Sequence, residues 1–197
     1  MSININNKEI VFAKEFNALD RFVIDFIKIL TKHTDYVIVS GYVSILFGRS
    51  RATEDVDALI LPISKERFEK LHKDFISKGF WFLNSENTEE LFDLLVTKHS
   101  IRIAYENQAV PNIEIKFINS EIERDAFTNR IKAIVSGNSI HISPIELQIA
   151  YKEVILMSGK DKEDALHLRE IFKHHLDKNL LEEYINTLRI MKKHGKY

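Results

Sequence analysis

The sequence predicts an α+β fold in which strands and helices interleave before giving way to a lobe of helices alone. Three observations carry this. Short β-branched and aromatic runs, such as Tyr36 to Val39 and Ile113 to Phe117, alternate with amphipathic stretches as far as residue 142. Two breaks between such runs, at 106–112 and at Ser136-Gly137-Asn138, have the composition of hairpin connections. Beyond residue 143 only helical periodicity recurs. The boundary falls near residue 140, which divides the chain into a core over 1–140 and a helical lobe over 141–197.

The elements follow in order. Phe16, Leu19, Phe22, Val23, Phe26, Ile27 and Leu30 lie at helical spacing with charges between them, so 13–33 reads as an amphipathic helix. Tyr36 to Ser40 is short, apolar and β-branched, hence a buried strand, broken by Gly41. A short helix over 43–47 ends at Gly48, and 55–61 is the next strand. Ser64 caps a helix that runs to Lys78 and stops at Gly79. Phe80 to Leu83 reads as a strand, followed by an amphipathic segment around Leu91, Leu94 and Leu95. The runs 101–105 and 113–117 form adjacent strands, 120–130 a helix, and 131–135 with 140–142 a second hairpin. Ser143-Pro144-Ile145-Glu146 has the form of a capping box with proline at the first helical position. It opens three helices over 144–157, 162–174 and 178–192, the third ending in a frayed basic tail from Lys192 to Lys196.

Composition bounds the classes open to the chain. With 197 residues, 45% of them apolar, and thirteen Phe, it can bury a substantial core and is not of disordered composition. A net charge of −1, with acids and bases mixed, excludes a general nucleic-acid binder but leaves room for a local basic patch. The absence of cysteine excludes disulfide scaffolds, thiolate zinc sites and cysteine nucleophiles. Met1 to Glu9 is polar and Asn-rich, unlike a secretory signal, and no apolar run reaches the length of a membrane span. The expectation is a soluble, cytoplasmic protein with no membrane partner.

Asp55 and Asp57 bring chemistry into view. On a strand, alternate side chains share a face, so Asp-Val-Asp projects two carboxylates together. At about 5 Å two such charges repel by roughly 3 kcal/mol at an effective dielectric near 20. Solvation or a bridging cation relieves this, and a hard divalent ion with oxygen ligands points to magnesium and a phosphate-bearing substrate.

The segment as a whole resembles the nucleotidyltransferase superfamily with the polymerase-β-like fold. A strand ends at Ser40-Gly41, a short helix follows, and Arg51-Ala52-Thr53-Glu54-Asp55-Val56-Asp57 leads into the next strand. A later acid flanked by apolar residues, Glu114 in Asn112-Ile113-Glu114-Ile115, stands where the family has its third metal ligand. Lys152 with Lys160-Asp161-Lys162-Glu163-Asp164 is similar to the lysine and Arg-Asp-x-x-Asp motifs of AbiEii-type abortive-infection toxins.

This resemblance implies a mixed sheet flanked by helices, with nucleotide lying between core and helical lobe. It implies two Mg²⁺ ions on Asp55, Asp57 and Glu114, with an NTP as substrate. Ser40, Gly41 and Ser44 would hold phosphate oxygens, Arg49, Arg51 and Thr53 would complete the nucleotide site, and Lys152 would reach the phosphates from the lobe. A nucleoside monophosphate would pass to a hydroxyl on tRNA, a protein or a small molecule. The tail motif adds a toxin role and an antitoxin protein as partner; a non-catalytic nucleotide-binding module and an antibiotic-type transferase are the alternatives. Two departures carry their own expectations. Tyr42 replaces the second Gly or Ser of the turn and predicts crowding at the phosphates, and Glu54 adds negative charge there. Asp161 and Asp164 read as the cap and first turn of the next helix.

Overall fold

The structure, a computed structural model, describes residues 4–6, 8–53 and 55–195; Glu54 and Lys196 lie outside them. The elements of the core are β1 (Asn4–Asn6), β2 (Glu9–Phe12), α1 (Ala18–Leu30), β3 (Tyr36–Val39), α2 (Gly41–Leu46), β4 (Asp55–Ile60), α3 (Lys65–Ser77), β5 (Phe80–Phe82) and α4 (Thr88–Val96). They continue with β6 (Ile101–Tyr105), β7 (Asn112–Phe117), α5 (Glu121–Thr128), β8 (Ile131–Val135) and β9 (Asn138–Ile142). The C-terminal helices are α6 (Ile145–Tyr151), a π-helical turn (Lys152–Leu156), α7 (Gly159–Phe172) and α8 (Lys178–Lys193). The predicted α+β fold is what forms.

The strands of the described residues make one mixed sheet in the order β1-β2-β8-β9-β3-β4-β7-β6-β5. β3 and β4 are antiparallel, with Val39 opposite Asp57, whereas β4 and β7 are parallel, with Asp57 beside Glu114. Strand alternation then divides the side chains between two faces. Tyr36, Ile38, Ala58, Ile60, Ile113 and Ile115 join Phe22, Phe26, Phe68, Phe75 and Leu91 from α1, α3 and α4 in the main core. On the other face Val37, Leu59 and Ile118 pack with Phe127 of α5 in a smaller cluster. This leaves the rest of that face to polar side chains.

Three differences from the expected elements have physical causes. α1 starts at Ala18 because Asn17 and Asp20 form a reciprocal capping box, which ends the helix five residues short of the periodic pattern. β1 lies in the segment read as polar, and β2 begins at its last residue; β2 hides Ile10 and Phe12 and runs parallel to β8. Ser143 caps nothing. Its N–H still donates to the Ile38 carbonyl at 3.0 Å, continuing the sheet, and Pro144 takes the N-cap position without a side-chain bond.

The lobe differs too. The helix expected over 144–157 turns α-helical to π-helical at Lys152 and ends at Met157, whose φ is 56°. Ser158, not Asp161, caps α7 and accepts the Asp161 N–H. Lys192 is not frayed: its ammonium donates to the Val154 carbonyl at 2.7 Å and reaches Met157 Sδ at 2.9 Å, tying α8 to the π-helical turn. No helix among the described residues is long and apolar enough to cross a membrane.

Tyr42 departs most from its expectation. It points into the core, fully buried, and its hydroxyl donates to Asp20 Oδ1 at 2.9 Å. The same carboxylate receives Lys14 Nζ at 2.8 Å and, on Oδ2, the Asn17 N–H at 3.1 Å. Burial, then the Asp20 charge, raise the phenol well above its usual pKa, so it stays protonated and keeps donating. Asp20→Ala would strand a buried hydroxyl and an ammonium; we expect urea denaturation to show a loss of about 3 kcal/mol, against about 1 kcal/mol for Tyr42→Phe.

Candidate active site

The turn between β3 and α2 sets the geometry. Ser40 has φ 63° and ψ −138°, a conformation that disfavours a side chain with a Cβ. Its hydroxyl donates to the Asp57 carboxylate on the neighbouring strand. Gly41 opens α2, and a Cβ there would lie 2.9 Å from Arg51 Nη2. Arg51 thus covers the start of α2, and only glycine lets it come so close.

The three acids reach one end of the sheet by different routes. Asp55 and Asp57 alternate onto the same face of β4, and Glu114 stands beside Asp57 in register. Thr53 steadies Asp55, donating to its carbonyl at 2.9 Å and to Oδ1 at 3.3 Å. Glu114 is held elsewhere. Ser100 donates to Oε1 at 2.6 Å, and Arg102, its register partner on β6, donates from Nε to Oε2 at 3.0 Å. Among the described residues no three acid or histidine side chains converge on a point that could hold an ion. The expected three-acid cluster is therefore not gathered: Glu114 lies beside the pair with both its oxygens engaged.

Arg49, Arg51 and Lys152, expected around the phosphates, converge instead on Asp164. Arg49 Nε lies 2.5 Å from Oδ1, while Arg51 Nη1 at 2.5 Å and Lys152 Nζ at 2.9 Å share Oδ2. Arg49 also grips Glu163 at 2.6 Å, and Asp161 lies 3.9 Å from the lysine. Lys152 and Asp164 are completely buried. An ammonium sealed from water needs an anion beside it, and α7 supplies one. Ser44 is equally sealed, on the inner side of α2. Its hydroxyl and Arg51 Nε find no partner among the described residues.

A cavity of about 280 Å³ opens beside Asp57, between the polar face of the sheet, α5, α6 and the π-helical turn. Ser40, Asp57, Glu114, Lys116, Glu123 and Tyr151 contribute its polar lining, and Ile122, Ala126, Leu147 and Leu156 contribute apolar surface. Lys116 is spent on Glu123 at 2.5 Å. Gln148 is set into the wall with Ser143 behind it. Reading the sequence passed over Gln148, Ser100 and Arg102. A glutamine among Ile145, Leu147, Ile149 and Ala150 is the signal that could have marked the first; nothing in sequence marks the pairing of Arg102 with Glu114, which depends on strand register.

The electrostatics suit a cation. Burial drives the Asp57 carboxyl up to about 6; the Ser40 hydrogen bond opposes this, and the charges of Asp55 and Glu114 add to it. Magnesium is commonly bound by one or two carboxylates with substrate phosphates completing its shell, so Asp55 and Asp57 fit that ion without Glu114.

No protein-family model matches the chain, and no curated protein matches it in sequence. Solved structures do. An antigenic nucleotidyltransferase-like protein from Paracoccidioides brasiliensis superposes with a TM-score of 0.52 at 16% identity, covering 89% of this chain and 87% of that one. The antibiotic-resistance factor ANT(2'')-Ia in solution has a TM-score of 0.52 at 13% identity, covering 89% and 94%. ANT(2'')-Ia in complex with adenylyl-2''-tobramycin has a TM-score of 0.51 at 14% identity, covering 89% and 99%. The chain has the nucleotidyltransferase fold.

Two outcomes test this site. Asp164→Ala leaves three cations facing one another, and we expect urea denaturation to report a loss of about 3–5 kcal/mol. Asp57 binds its proton more tightly folded (pKa about 6) than unfolded (near 3.8), so it lowers stability as pH rises from about 4 to 6. Asp57→Asn in EDTA should therefore raise stability at pH 7 by on the order of 2 kcal/mol, with little gain at pH 4.

Proposed function

We propose that this protein is a cytoplasmic, Mg²⁺-dependent nucleotidyltransferase that moves a nucleoside monophosphate from an NTP to a hydroxyl acceptor. One observation carries the reading: on a nucleotidyltransferase fold, Ser40 holds Asp57 beside Glu114 in the lining of a cavity. Asp55 and Asp57 would hold the magnesium, which when bound offsets charge on the transferring phosphoryl group. The chain does the rest by positioning. Thr53 and Ser40 aim the two carboxylates, and Ser100 and Arg102 hold Glu114 beside them. The acceptor oxygen bonds the α-phosphorus as the α–β phosphoanhydride bond breaks; pyrophosphate leaves with the bonding electrons and the hydroxyl proton passes to solvent.

Two observations favour different acceptors. Likeness to a protein solved with adenylyl-2''-tobramycin supports a small hydroxylated molecule. The assembly of Lys152, Asp161 and Asp164 supports the toxin reading, with tRNA or protein as acceptor and an antitoxin as partner. Incubation with each α-³²P-labelled NTP, Mg²⁺ and tRNA, cell extract or an aminoglycoside decides among them. We expect one acceptor to take label, and Asp57→Ala to reduce the rate at least about a hundredfold. Absence of label with every acceptor, or an unchanged rate in the variant, overturns the assignment.

A further inference from the structure

The cavity beside Asp57 has an apolar wall that includes Ile122, Ala126 and Leu147, and the Gln148 amide is set beside it. Gln148 is 5% exposed, and among the described residues its side chain makes a single hydrogen bond, Nε2 to Ser143 Oγ at 2.7 Å. Ser143 is itself fully buried and turns its hydroxyl hydrogen towards the Pro144 carbonyl at 3.4 Å, which leaves its lone pairs to receive the amide. That orientation points Oε1 away from Ser143. Oε1 takes no hydrogen bond from the described residues, yet it is not among the side-chain atoms sealed in protein without a partner. It is open to the cavity that Gln148 lines.

We propose that Gln148 selects the base of the donor nucleotide, its Oε1 accepting a hydrogen bond from an exocyclic amine, so that the site takes amino-bearing bases in preference to their keto or unsubstituted counterparts. This rests on the nucleotidyltransferase reading. The placement follows from the chemistry of the lining. Asp57 and Glu114 would attract the metal and its phosphates, whereas the apolar wall of Ile122, Ala126 and Leu147 accommodates a flat ring. Lys116 and Glu123, which also line the cavity, are paired with each other. Ser40 is occupied by Asp57. An acceptor oxygen in an apolar wall discriminates because a ring without a facing N–H leaves it desolvated and unpaired. Adenine and cytosine carry such an amine; uracil presents a carbonyl oxygen in its place.

Calorimetric titration of the full chain in Mg²⁺ tests this with two matched pairs, CTP against UTP and ATP against purine riboside triphosphate, which lacks the amine. We expect the amino-bearing member of each pair to bind about tenfold more tightly. Gln148→Leu, similar in volume, should bring each pair within about twofold while melting stays cooperative. Ser143→Ala, which releases the amide to turn, should also weaken the preference. Equal binding within both pairs by the wild type, preference for UTP, or a preference that survives Gln148→Leu overturns the inference and leaves the nucleotidyltransferase reading standing. Failure of all four nucleotides to bind overturns both.

Discussion

One carboxylate ties the segment after α2 to the C-terminal helices. Asp164, without solvent contact, is the shared counter-ion of Arg49, Arg51 and Lys152, which come from the segment after α2 and from the π-helical turn. Isolated charges of this kind are expensive to bury, and the arrangement survives because each cation has this carboxylate beside it. From it the geometry passes inwards through touching groups. Asp164 fixes Arg51, Arg51 lies on Gly41, and Gly41 follows the turn whose Ser40 holds Asp57.

The short helix α2 is clamped from its other side as well. Six residues are too few to be helical by themselves, so tertiary contacts must hold them. Tyr42 reaches down to Asp20, itself locked by the capping box of α1 and by Lys14. Phe47, just past the helix, stacks edge-on against Phe172 of α7 and tilts against Phe12 of β2. Gly48 then reverses the chain at φ 95°. Held at both ends, the turn can keep Ser40 in its unfavourable conformation, which is how strain persists where a functional group must be aimed.

The site that results sets polar groups beside an apolar wall. Asp55 is exposed and Asp57 is more deeply set and held by Ser40, while Glu114 is restrained by Ser100 and Arg102. Behind them the π-helical turn does two things with its first and last residues. It directs Lys152 inwards to Asp164 and brings Leu156 to the cavity wall. An ordinary α-helical continuation of α6 would rotate these side chains to other positions, so the extra residue per turn serves the site as well as the packing.

Local signals alone determined much of this protein. The apolar run of β3, alternation in β6 and β7, helical periodicity in α1, α3 and α8, and the turn at Ser136-Gly137 needed no tertiary information, because each depends on residues close in sequence. Asp55 and Asp57 were legible for the same reason: a period of two places them on one face whatever surrounds the strand. What sequence could not supply was direction across space. Tyr42 read as an obstacle at the phosphates and is a core residue; Arg49, Arg51 and Lys152 read as phosphate ligands and serve one buried aspartate 113 residues from Arg51. Gln148 read as nothing and lies in the cavity wall. Residue type and spacing say which charges exist and which face they share. Only the packing of α6, the π-helical turn and α7 against the sheet decided which charge meets which, because the energy of burying an ion is settled by its partner and not by its neighbours in the chain.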